Sequence, residues 1–134
     1  MKKLSDNFNL EEFKRSRTAD RYGVDNTPPP NVVRAIEYLV CNLLQPLREA
    51  YGKPLVVNSG FRCERVNRLV GGAASSQHVK GEAADIACDD PLALVACLKQ
   101  CGLPFDQCGV YRRFVHLSLK LEGEQRGVFY KGKY

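Results

Sequence analysis

Apolar residues recur three and four positions apart along one stretch: Val32, Val33, Ile36, Leu39, Val40, Leu43, Leu44 and Leu47. That spacing puts them on one face and predicts a long amphipathic helix from about Pro30 to Tyr51. Pro46 falls inside it, where a missing N–H bends a helix or leaves a loose turn. Gly52 closes it and Pro54 follows, the usual order past a C-terminus. Shorter helical signals flank this one. Asn9 can cap Leu10-Glu11-Glu12-Phe13, with acidic residues in the first turn. Thr18 to Tyr22 adds a turn closed by Gly23, and Asn26-Thr27-Pro28-Pro29-Pro30 breaks the pattern. Residues 1–29 therefore read as a helical lead-in. A helix fits Glu64 to Leu69 before the pair Gly71-Gly72. Another starts with Asp90 as cap and Pro91 at the first helical position, and ends at Gly102.

Strand-like segments alternate with these helices. Pro54 to Ser59 is one, Pro104 to Tyr111 a second, and Phe114 to Leu119 a third, with Arg112-Arg113 as the turn between the last two. Asp85 opens a short apolar run, Ile86-Ala87-Cys88. Residues 120–134 read as a polar tail with one apolar piece, Val128-Phe129-Tyr130. With 134 residues the chain makes one domain with room for a real core.

The chemistry concentrates in Ser76-Gln77-His78-Val79-Lys80-Gly81-Glu82-Ala83-Ala84-Asp85. A His and an Asp lie seven apart, and Gly81 between them allows a turn that brings them together. The one other His, His116, sits on the alternating segment Phe114 to Leu119. Two His and one Asp form a three-ligand set with one position open, as in a catalytic zinc site. An ordinary hydrogen-bonded His–Asp pair is the plainer reading of the same residues. Arg62 follows a strand and a glycine turn. Its guanidinium either reaches into a cleft to clamp a carboxylate or pairs with Glu64 on the surface.

Composition narrows the partners. The net charge of +5 favours an anionic partner such as nucleic acid, anionic membrane or wall polymer. No aromatic-and-basic recognition motif accompanies it, so nucleic acid is not expected. No apolar run is long enough to span a bilayer, and no apolar segment follows Met1-Lys2-Lys3, so neither membrane insertion nor a signal peptide is expected. The six cysteines, Cys41, Cys63, Cys88, Cys97, Cys101 and Cys108, include no C-x-x-C pair. They read as reduced thiols, with a four-cysteine zinc site as the alternative.

Several motifs occur in a fixed order: Asn7-Phe8 with Glu11-Glu12-Phe13, Asn26-Thr27-Pro28, Pro46-Leu47-Arg48, Ser59-Gly60-Phe61-Arg62, Val70-Gly71-Gly72, the S-x-H-x-x-G-x-A-x-D string from Ser76 to Asp85, and Phe114-Val115-His116-Leu117. Over roughly residues 7 to 120 the chain resembles the zinc D-alanyl-D-alanine carboxypeptidase family of peptidoglycan peptidases, above all its small single-domain members in bacteria, prophages and phage lysis modules. The resemblance implies an α+β fold of the Hedgehog/DD-peptidase type, a small antiparallel sheet with helices packed on one side. It implies one Zn2+ per chain, held by His78, Asp85 and His116. Arg62 would bind the substrate carboxylate or polarise the scissile carbonyl, and Ser76 and Gln77 would line the cleft. The substrate would be the peptide stem of peptidoglycan, cut at an amide near D-alanine. Separately, a monomer is expected.

One position departs from the family pattern. Many members carry a carboxylate three residues before the last ligand His, as general base, and some relatives use a His about five before it. Here those positions are Arg113 and Tyr111. Tyr111 remains a candidate hydrogen-bond donor to the oxyanion, and Asp106 or Glu82 a candidate base. A zinc-holding wall-binding module without turnover is the competing expectation. Without an export signal, synthesis in the cytoplasm and phage-type release or delivery to the wall are expected.

Overall fold

The periodic stretch from Pro30 to Tyr51 forms one helical rod in three parts. This is seen in a computed structural model that describes residues 2–132. Met1 of the lead-in and Lys133-Tyr134 of the tail lie outside the described residues. Helix α3 spans Pro30–Leu39, a π-helical turn spans Val40–Leu44, and the rod resumes as α4, Gln45–Tyr51. Gln45 donates its N–H five residues back, to the Val40 carbonyl. The looseness expected at Pro46 is thus a widened turn, which accommodates a residue with no N–H to give. Gly52 ends the rod in the left-handed conformation.

The lead-in is not wholly helical. Lys3–Ser5 (β1) and Phe8–Asn9 (β2) pair as a short antiparallel ribbon before helices Leu10–Lys14 (α1) and Arg17–Tyr22 (α2). The ribbon is too short to show alternation, and tertiary contacts hold it. Buried Gln45 accepts hydrogen bonds from the Ser5 hydroxyl at 2.6 Å and the Asn7 N–H at 3.0 Å. Helix α1 starts at the predicted Asn9 cap, and the Glu12 side chain returns to the Asn9 N–H to complete a capping box.

The main sheet has five strands: Val56–Ser59 (β3), Ala83–Ala87 (β4), Gln107–Val110 (β5), Phe114–Ser118 (β6) and Val128–Lys131 (β7), in the order β3-β4-β6-β5-β7. Helices α5 (Glu64–Leu69) and α6 (Pro91–Cys101) complete an α+β architecture. The sheet is not purely antiparallel, because β7 joins β5 in parallel. The apolar piece of the predicted polar tail is therefore a fifth strand, tied at its two ends by Val128 N–H to Asp106 O and Gly132 N–H to Val110 O.

Register sorts the side chains onto two faces. Ala84, Ile86, Val115, Leu117, Cys108 and Val110 share one face, and all are buried. They join Ile36, Leu43 and Leu47 of the rod and Leu94 and Leu98 of α6 in one core. Each buried Leu or Ile contributes about 1.5–3 kcal/mol. The opposite face carries a row that crosses all five strands: Ser59, Asp85, His116, Gly109 and Tyr130.

Candidate metal centre

Two ligand candidates come from paired strands. Asp85 on β4 sits directly across from His116 on β6, so ordinary antiparallel pairing places them side by side. Asp85 is the third residue of its strand rather than the first. His78 arrives on the loop before β4. Gly81 turns that loop back with φ 75°, and a Cβ there would lie 2.8 Å from the Val32 carbonyl oxygen. Only glycine fits such a close approach at positive φ.

The three side chains converge. His78 Nε2 lies 3.3 Å and His116 Nδ1 2.8 Å from Asp85 Oδ1. One ligand atom from each of the three residues falls within 4.8 Å of the others, and among the described residues this is the one group of His, Cys, Asp and Glu so placed. The six cysteines are free thiols that do not gather in this way. Nδ1 of buried His78 lies 2.7 Å from the Gly60 carbonyl. Donating there, it turns Nε2 towards Asp85, and a backbone carbonyl on the other ring nitrogen is how a metal-binding imidazole is oriented. Burial raises the Asp85 pKa, yet the hydrogen bonds from His116 and His78 outweigh it and hold the carboxyl well below its usual range. Two imidazole nitrogens and an ionised carboxylate fit a zinc ion in both donor type and spacing.

The triad floors an open cleft of about 640 Å³. Arg62 lines it, half-buried. Burial lowers its pKa and the Asp85 charge opposes that effect. It pairs with no carboxylate among the described residues, Glu64 included. Its Nη2 lies 3.5 Å from the Ser76 hydroxyl, and its buried Nε has no partner. Asn26 fixes the turn that carries it: the amide donates to Lys14 O and Phe61 O and accepts from Cys63 N–H. The Asn-Thr-Pro break of the lead-in thus sets the place of Arg62. Ser76 and Gln77 also line the cleft. The Ser76 hydroxyl accepts from the His78 N–H at 3.2 Å.

Neither carboxylate weighed as a base stands free in the cleft. Asp106 is fully buried, and Arg126 clamps it through Nε and Nη2, the latter at 2.7 Å, and through its backbone N–H at 2.8 Å. Gln77 Nε2 donates to it at 3.0 Å. The bonds from Arg126 hold its carboxyl well below the usual range, against burial. It is an anchor for Gln77 and Arg126 rather than a base. Glu82 turns away to accept from the Leu121 N–H. Arg113 is exposed and outside the cleft lining, whereas Tyr111 lines it. The sequence reading missed Tyr130, which lines the cleft from β7. The signal was Gly109, a lone glycine inside a strand, which marks a close approach.

An α+β domain that presents one histidine and a carboxylate from its sheet and a second histidine from a loop to an open cleft has the plan of a mononuclear metallohydrolase. The peptidase M15 family model matches residues 6–118, and the chain belongs to that family. A stretch of 44 residues is 52% identical to the zinc D-Ala-D-Ala carboxypeptidase of Streptomyces albus G. That stretch is 32% of this chain and spans 17% of the relative's length.

Proposed function

We propose that the protein is a zinc-dependent peptidase that hydrolyses an amide in the peptide stem of bacterial peptidoglycan, next to a D-alanine. The observation that carries this is the convergence of His78, Asp85 and His116 in a cleft beside an unpaired guanidinium. Family membership and the partial likeness to a zinc D-Ala-D-Ala carboxypeptidase support it. The three residues would hold one zinc ion per chain. Bound there, zinc supplies Lewis acidity toward a carbonyl and lowers the pKa of water towards neutrality.

The chain's own residues bind and orient the substrate. Arg62 offers a desolvated cation to the terminal carboxylate or the scissile carbonyl. Ser76 supplies a hydroxyl beside it. Gln77, fixed by Asp106, shapes the wall. The family's fold of the Hedgehog/DD-peptidase type is part of the same inference, as is action by a monomer on the wall after phage-type release or delivery. Six free thiols fit synthesis in a reducing compartment. No described helix is long and apolar enough to cross a membrane.

One observation favours a second reading. Asp85 is the one carboxylate among the described cleft-lining residues, as suits a zinc-holding module that binds wall peptides without turnover. Incubation with synthetic stem peptides ending in D-Ala-D-Ala, followed by mass spectrometry, separates the two. A peptidase gives a product that disappears with chelator and returns with zinc. Bound peptide and bound zinc without product would establish the binding module instead.

A further inference from the structure

The cleft holds a pair of phenols, Tyr130 on β7 and Tyr111 just past β5, that metal binding and carboxylate recognition leave unused. Tyr130 pairs with Gly109 across β7 and β5, and Gly109 pairs with His116 across β5 and β6. The phenol lies over Gly109: a Cβ there would fall 2.3 Å from Tyr130 Cζ and 2.4 Å from its hydroxyl oxygen. The absent side chain thus lets an aromatic ring lean inward over its strand partner, towards the triad. The His116 and Tyr130 ring centroids are 6.5 Å apart.

Tyr111 holds that ring from the far side. The two rings meet edge to face at 89°, with hydroxyls 3.4 Å apart. Tyr111 is itself stacked on Phe114 at 4.3 Å, and a Cβ on Gly132 would overlap its ring. Two glycines and one stacked ring therefore fix one phenol. An ordinary phenol keeps its proton at neutral pH, so the O–H is a donor. Arg62 follows β3 at the other end of the row, so the triad lies between guanidinium and phenol.

We propose that Tyr130 is a catalytic residue whose O–H donates a hydrogen bond to the scissile carbonyl oxygen as that oxygen gains negative charge. Arg62 is thereby left to the substrate carboxylate, and Tyr111 is the positioning residue for Tyr130. No proton is transferred; the bond strengthens as charge develops, which lowers the barrier without tightening ground-state binding. This role rests on the hydrolytic reading above.

The test uses zinc-loaded protein, a D-Ala-D-Ala stem peptide and a phosphinate pseudodipeptide that mimics the tetrahedral oxyanion. Tyr130→Phe should keep zinc content and melting temperature, leave KM within about twofold, and lower kcat about 100-fold. Its affinity for the phosphinate, read by calorimetry, should fall by a similar factor. Gly109→Ala, which keeps the phenol but displaces it, should lower kcat and phosphinate affinity in the same direction. Tyr111→Phe should lower kcat by a smaller factor at unchanged KM. If Tyr130→Phe keeps both wild-type kcat and wild-type phosphinate affinity, Tyr130 has no such role. A wild-type protein that neither cleaves the peptide nor binds the phosphinate would end the hydrolytic reading, and this role with it.

Discussion

The two faces of the main sheet are built from the same strands and follow opposite rules. Leu117 and His116 are neighbours on β6, and Ala84 and Asp85 are neighbours on β4. One step along the strand moves a residue from the core to the cleft. On the core face every side chain named above is buried among apolar partners. On the cleft face the polar groups are crowded and partly unpaired, as at Arg62 Nε and Gln77 Oε1. The first face stabilises the fold and the second spends stability on holding groups ready for a ligand. Mutations on the two faces should therefore separate stability from function.

The largest effect is expected from His116→Ala. Zinc content by mass spectrometry should fall to none, and turnover should drop at least about 1,000-fold, while the metal-free melting temperature moves little. Its neighbour should do the reverse. Leu117→Ala removes a fully buried side chain and should cost about 2–5 kcal/mol of stability in urea unfolding, with one zinc per chain still bound at low temperature. If both variants lost stability equally and kept zinc equally, the division between faces would be wrong.

Arg62→Met comes next. A guanidinium that engages the substrate should cost about 100-fold in kcat/KM with no loss of zinc. A change of less than about threefold would return Arg62 to a surface role. Asp106 sharpens the comparison in another way, because it supports the cleft from beneath. Its native carboxyl sits well below its unfolded value of about 3.9, chiefly through Arg126. Its contribution is therefore present above about pH 4 and fades as the pH falls towards the native value. The gap in urea midpoint between wild type and Asp106→Asn should be widest near neutrality and narrow steadily as the pH falls below about 4. A gap independent of pH would contradict the ion pair. The smallest effect belongs to Arg113→Ala, exposed and outside the cleft, where turnover should change less than about twofold.

Local signals made most of the fold legible from the sequence. The rod, the cap at Asn9, the Gly23 and Gly102 ends and the helix at Pro91 all rest on short-range chemistry, and all appear. The grouping of His78, Asp85 and His116 was legible for a related reason: alternation marked the strand of His116, Asp85 headed the apolar run of its partner strand, and a glycine turn returns His78. What escaped depends on partners far along the chain. Strand β7 gains its identity by pairing in parallel with β5, which the composition of residues 120–134 does not announce. With it went Tyr130. Asp106 looked free because its partner, Arg126, lies 20 residues on. The ribbon β1–β2 depends on the Gln45 side chain, 40 residues from Ser5.

The most direct test is a titration of metal-free protein with zinc, with cleavage of a D-Ala-D-Ala stem peptide followed in the same samples. One zinc site made by His78, Asp85 and His116 predicts activity that rises linearly and levels off at about one equivalent, with no rise in His116→Ala. Activity in the metal-free protein, or a rise that survives in His116→Ala, would contradict it.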